Sequence, residues 1–170
     1  MALDLGLRAK SALGIPARPT SDALCNDLAR LAPAFGMRVA ILLDRMVASG
    51  HTPLVWETYR TPERAAALAA KGVGVVGSMH CYGCAVDIVR KQAPHWDAPF
   101  AFWRDLRDHA ELLGLVSGAR FKRRHDAPHV QCVPATAAAQ NIVRDLFRTH
   151  GQDAVNLHVR TAFADAEATS

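Results

Sequence analysis

At 170 residues the chain has the length of one domain, 1–170, with room for a sizeable buried core. Half of its residues are hydrophobic and 21% are charged, an ordinary globular balance that excludes a disordered or fibrous chain. Twenty Lys and Arg against sixteen Asp and Glu leave a net charge of +4, a mild excess that does not define a nucleic-acid binder; the longest basic cluster, Lys122-Arg123-Arg124-His125, reads as a solvated loop or a holder of an acidic substrate, and no stretch approaches the ~20 apolar residues of a membrane span.

Residues 1–20 carry Gly6, Gly14, Pro16 and Pro19 among small side chains and read as an irregular N-terminal arm. No apolar signal-peptide core follows Met1, so the expectation is synthesis in the cytoplasm without a signal peptide. Ser21 and Asp22 offer a helix cap, with Leu24, Leu28 and Leu31 at helical spacing behind them. Pro33 lacks a backbone donor and is expected to split this region from a second helix through Val39, Leu42, Leu43 and Met46 that stops near Gly50.

Leu54-Val55-Trp56-Glu57 is short, apolar and β-prone and predicts a strand that delivers Tyr59 and Arg60 at its end. Thr61 then caps an alanine-rich helix with Pro62 in its first turn, ending at Gly72. Gly72, Gly74 and Gly77 make a loop that no lysine-bearing phosphate motif follows, which argues against nucleotide binding. Ala85 to Val89 alternates as a half-buried strand does, with Ala85 and Asp87 on one face.

Asp97 and Pro99 can open a helix through Phe102, Leu106, His109 and Leu113 that ends at Gly114. A strand from His129 to Val133 places His129 and Gln131 on one face, and a last helix runs from about Thr136 to His150. The small, polar residues 162–170 read as a frayed tail. The fold class expected is α+β, with a small antiparallel sheet bearing the chemistry and helices packed against it.

The chemistry gathers in two stretches. A hydrolytic zinc needs three side-chain ligands and a fourth position open to water. In Ser78 to Asp87 a histidine, His80, stands before a turn at Gly83, and an aspartate, Asp87, stands on the following strand. Ala85, on Asp87's face, leaves room beside a metal. In Asp126-Ala127-Pro128-His129 a carboxylate precedes a histidine by three residues, as suits a third ligand, His129, and a general base, Asp126, held off the metal. Arg60 is the best-placed guanidinium for charge growing on a substrate oxygen.

These residues resemble the zinc peptidases that include D-alanyl-D-alanine carboxypeptidases, dipeptidases and phage L-alanyl-D-glutamate endolysins, a family with the hedgehog-like zinc fold. Its S-x-H-x-x-G-x-A-x-D pattern is complete from Ser78 to Asp87, its D-x-x-H stands at Asp126 to His129, and a Y-R-T precedes both at Tyr59 to Thr61. The resemblance spans roughly residues 50–133. It implies Zn²⁺ on His80, Asp87 and His129, Asp126 as base, and Arg60 in contact with substrate, with Ser78 and Tyr59 as further substrate-binding candidates. It implies peptidoglycan stem peptides as substrate and a monomeric enzyme acting on the cell wall after release. The missing leader leans toward the endolysins. Val130 and Gln131 depart from the aromatic or acidic residues that many relatives place after the last histidine.

Other readings stand beside this one. A carboxypeptidase or dipeptidase would share the metal site, and a non-catalytic zinc-bearing binding module would resemble the hedgehog signalling domains. Cys81 and Cys84 form a C-x-x-C that can be a redox pair, part of a closed zinc cage with Cys132 and His129, or small buried residues around the turn. Arg60 can equally serve a structural ion pair, and Tyr59 can simply pack.

Overall fold

Residues 23–169 are described by a computed structural model; the arm 1–20 and the capping pair Ser21-Asp22 lie outside the described residues. Four strands and five helices follow in the order α1 (Pro33–Ala48), β1 (Pro53–Glu57), α2 (Pro62–Ala70), β2 (Ala85–Arg90), α3 (Phe100–Leu112), β3 (Val116–Ser117), β4 (His129–Gln131), α4 (Ala137–His150) and α5 (Gln152–Ala168). The strands form one antiparallel sheet in the order β1-β2-β4-β3. The expected α+β class, with helices packed on a small sheet, is what the chain adopts. No helix among the described residues is long and apolar enough to cross a membrane.

One apolar cluster organises these elements. Phe35, Val39, Leu42 and Met46 of α1 meet Val86 and Ile88 of β2, Val130 of β4, Phe102 and Leu106 of α3, and Val155 and Val159 of α5. Because side chains alternate along a strand, burying Val86 and Ile88 against helices turns Asp87 to the opposite face. That face is covered too, since Ala85 to Val89 are all buried, and the strand is enclosed on both sides rather than half-buried as its alternation suggested.

The helix caps follow the local chemistry. Pro33 and Pro62 occupy the first turns of α1 and α2, where a missing N–H costs nothing, and the Thr61 and Thr136 hydroxyls accept from the backbone N–H of Arg64 and Ala139. Before Pro33 the expected helix through Leu24, Leu28 and Leu31 shrinks to one 3-10 turn, Leu28–Arg30. Ala32 is extended, as a residue before proline tends to be, and Thr58 N–H donates to the Cys25 carbonyl at 2.6 Å. The segment is tied to the sheet edge instead of coiling.

In place of the expected frayed tail over 162–170, α5 continues to Ala168, and Ser170 lies outside the described residues. Alanine and glutamate are strong helix formers, and Val155, Val159 and Phe163 recur at a four-residue spacing that lays one buried face on the core. The Arg38 guanidinium of α1 sits 4.0 Å from the Phe163 ring centroid.

A two-residue strand, β3, and a tight turn at Gly118 set the approach to β4. The Gly118 carbonyl accepts from Asp126 N–H at 3.0 Å and from Phe121 N–H at 3.1 Å, and the Asp126 carbonyl accepts from His129 N–H at 3.1 Å. A Cβ on Gly118 would lie 2.3 Å from the Asp126 carbonyl oxygen and 2.9 Å from the His129 Cβ, so only glycine fits.

Two stability measurements test this account. Phe163→Ala should cost about 3–4 kcal/mol in urea unfolding, since it empties a buried ring site that a frayed tail would not possess. Gly118→Ala should cost about 1–3 kcal/mol by overpacking; an unchanged unfolding midpoint would show that the turn yields.

Candidate functional site

β2 and β4 run antiparallel with Asp87 directly opposite His129, and the 3-10 turn Met79–Tyr82 brings His80 to the same place. That turn ends at Gly83, whose φ of 67° is left-handed; a side chain there would also meet the Arg30 carbonyl at 2.5 Å. Asp87 Oδ1 lies 3.3 Å from His80 Nε2 and 3.1 Å from His129 Nδ1. All three side chains are buried, and their ligand-type atoms lie within 4.8 Å of one another.

Hydrogen bonds decide which ring nitrogens carry lone pairs. His80 Nδ1 stands 3.2 Å from the Thr58 carbonyl, which can only accept, so Nδ1 carries the proton and Nε2 is left as an acceptor. His80 Nε2 is buried with no hydrogen-bond partner. On the other side, the Gln131 amide NH₂ donates to the Val133 carbonyl, which turns Gln131 Oε1 toward His129 Nε2 at 3.1 Å. That Nε2 therefore donates, and His129 Nδ1 presents its lone pair to Asp87.

Two nitrogen lone pairs and a carboxylate oxygen converge with no donor between them, an arrangement that could hold a cation. Ligand atoms on a tetrahedral zinc with bonds of ~2.0–2.1 Å lie about 3.3–3.4 Å apart, close to the two measured separations. The donor set fits such an ion.

The electrostatics agree. Burial alone would raise the Asp87 pKa, but the two histidines hold its carboxyl well below the usual carboxylate range. Burial opposes charge on His129, yet its hydrogen bond to Asp87 and the charges of Asp87 and Asp126 raise its pKa.

Asp126 reaches this site from the turn before β4 and lines the same cleft. Its pKa is raised, first by burial and then by the nearby Asp87 charge, which suits a group that exchanges protons. Arg60 lines the cleft as well, with Nη2 3.7 Å from Asp87 Oδ2. It also pairs with Glu57, Nε to Oε2 at 3.2 Å, so the structural ion pair and the place beside the site belong to the same side chain.

Glu57 is a member that sequence reasoning missed. It is 2% exposed, opposes Asp87 across the β1–β2 pair, and also accepts from Arg64 Nε at 3.0 Å. An irregularity in register between Val55 and Glu57 aims it there, and nothing local in Leu54 to Glu57 announces such a bulge. Gln131 was half visible: its shared face with His129 follows from alternation, whereas its role needs the Val133 carbonyl.

The remaining candidates separate. Ser78 is buried and lines the cleft. Tyr59 is absent from the cleft wall; it bridges to Cys25 and stacks beneath Arg30 at 5.8 Å, the position of a packing residue.

The cysteine cage is not formed. The grouping of potential ligands among the described residues contains no cysteine, and none of the four cysteines forms a disulfide. Cys81 and Cys84 are buried around the Gly83 turn, and Cys132 Sγ donates to the Cys84 carbonyl at 3.5 Å. Burial pushes the Cys132 thiol up, away from reactivity.

Comparison with known proteins agrees with this geometry. The model of a family described as D-alanyl-D-alanine carboxypeptidase matches residues 71–132, the stretch holding Ser78, His80, Asp87, Asp126 and His129 but not Arg60. Among solved structures, the L-Ala D-Glu endopeptidase ChiX of Serratia marcescens aligns with a TM-score of 0.51 and 22% identity, over 61% of this chain and 81% of that one. A likeness at that identity is one of fold, and it accords with the α+β architecture. No curated protein matches significantly. Through the segment that builds the His80-Asp87-His129 cluster, residues 71–132, the chain is similar to the family described as D-alanyl-D-alanine carboxypeptidase.

Proposed function

We propose that the protein is a zinc-dependent peptidase of peptidoglycan stem peptides, an endopeptidase of the L-alanyl-D-glutamate type, with His80, Asp87 and His129 as metal ligands. The observation that carries the metal is the convergence of His80 Nε2, His129 Nδ1 and Asp87 Oδ1 without a donor between them. The likeness of fold to an L-Ala D-Glu endopeptidase supports the bond, while the family description favours a second reading, removal of a terminal D-alanine.

Zinc bound there would polarise the scissile carbonyl and acidify water beside it. This chain's residues do the rest. Thr58 and Gln131 hold the two imidazoles in the ligating tautomer by taking the outer N–H of each. Asp126 takes the proton of the attacking water and returns it to the leaving nitrogen, a double task for which an elevated pKa is an advantage. Arg60, held by Glu57, offers its guanidinium to the oxygen on which negative charge develops.

Five measurements test this reading. Zinc removal should abolish cleavage of purified cell wall and metal return should restore it; Asp126→Asn should keep its zinc yet lose about 10²–10⁴ in kcat. Because the base must be ionised and its pKa is raised, kcat/KM should decline on acidification already above the ordinary aspartate range. Mass spectrometry of the digest separates the readings: new N-terminal D-glutamate marks the endopeptidase, and free D-alanine the carboxypeptidase. Gln131→Leu, which strips the acceptor from His129 Nε2, should weaken zinc binding about 10–100-fold in chelator competition, and unchanged affinity would remove Gln131 from the site.

A further inference from the structure

The charge of this protein is unevenly placed. The cleft that contains the cluster has a volume of about 1180 Å³, and its wall includes Arg60, Arg64, Arg120, Lys122, Arg123 and Arg124. Only three carboxylates, Glu57, Asp87 and Asp126, line it with them. Among the described residues, which hold seventeen Lys and Arg and fourteen Asp and Glu, eleven of each remain outside the cleft and cancel. The net positive charge of the described residues therefore sits on one concave wall, where low-dielectric surroundings focus its field.

The cations differ in how far they are already satisfied. Arg60 and Arg64 share Glu57, and Arg120 is paired with Glu111 at 2.8 Å. Arg124 spends its donors on the Gly72 and Gly74 carbonyls, at 2.8 and 3.3 Å, which fixes the guanidinium across the cleft without neutralising it. Lys122 and Arg123 are exposed and make no ion pair or side-chain hydrogen bond among the described residues. Three charges on one loop thus face the cleft uncompensated, directly before Asp126.

Building on the peptidase reading, we infer that the cleft selects stem peptides whose carboxyl groups are free, and that Lys122, Arg123 and Arg124 set this specificity. A carboxamide has nearly the size and shape of a carboxylate but no charge, so a wall that reads charge rather than shape separates the two. Lys122 and Arg123 supply the attraction that salt can screen; Arg124 adds a fixed positive point.

The test uses the zinc-loaded full chain and two synthetic stem peptides that differ only by carboxylate or carboxamide at the residue after the scissile bond. The wild type should prefer the free acid by about tenfold in kcat/KM at low ionic strength, as a few exposed charge contacts allow. The ratio should shrink severalfold in 0.5 M salt, where the Debye length falls to about 4 Å. In a Lys122→Glu/Arg123→Glu variant it should fall to about one or invert; being a ratio within one protein, it is insensitive to partial loss of folded enzyme. Equal turnover of the two peptides by the wild type, or a preference indifferent to salt, would overturn the inference. If neither peptide is cut, the peptidase reading fails instead, and equilibrium binding of both peptides to zinc-loaded wild type decides the charge preference alone: tighter binding of the free acid sustains it, and equal or absent binding ends it.

Discussion

A carboxylate buried between two imidazole lone pairs is the constraint around which this structure is arranged. Asp87 stands on an inner strand, opposite His129, with His80 3.3 Å away on the 3-10 turn before that strand. A charge so buried is tolerated only with cationic partners close by. Both imidazoles could have met it as donors, which would satisfy the hydrogen bonds and make an inert triad. Instead the Thr58 carbonyl and the Gln131 amide claim the outer N–H of each ring, so the inner atoms are all acceptors. The outer partners, not the ligand set itself, make a polar cluster one that could hold a cation.

These outer partners depend on pairing that is remote in sequence. Thr58 belongs to the segment after β1 and is anchored by its bonds to the Cys25 and Asp27 carbonyls. Gln131 takes its orientation from Val133, beyond the end of β4. Gly118, on a turn that follows a two-residue strand, leaves the space in which Asp126 and His129 are brought together. The apolar face of the same sheet holds the strands in register, because a shift of one residue would bury Asp87 among α1 and α3 and turn Val86 and Ile88 toward the histidines.

Much of the site was legible in the sequence for a local reason. His80 and Asp87 are joined by a turn that needs a glycine and by a strand whose alternation fixes Asp87's face, and Asp126 and His129 are three residues apart across a proline. Such features are written in neighbours. Glu57, Thr58 and Gly118 were not legible, since a bulge, a carbonyl in reach of a histidine 22 residues later, and a close approach between two loops arise only on folding. The helices were legible where proline or threonine marks their start. α5 was missed because alanine, aspartate and threonine after Ala162 look like a solvated tail, while the apolar spacing that anchors them begins earlier, at Val155. The leucines before Pro33 misled in the opposite sense, their helical spacing losing to the pull of the sheet edge.

The placement of Arg60 shows how the charges are kept apart. A guanidinium that closed fully on Asp87 would neutralise the carboxylate in a bidentate fork and occupy the place of a metal. Glu57 prevents this by competing for the same arginine: it accepts from both Nε and Nη2, while the Asp87 oxygen stays 3.7 Å from Nη2. Arg64 compensates the second oxygen of Glu57 at 3.0 Å, so the buried glutamate is not drawn toward the histidines. Burial works against the charge of Arg60, yet Glu57 and Asp87 together raise its pKa, so the guanidinium remains a cation beside the cleft. Two acids and two bases are thereby divided into an outer group that is internally satisfied and an inner carboxylate left to the imidazoles. That division lets a site that could hold a cation and a cationic wall occupy one cleft.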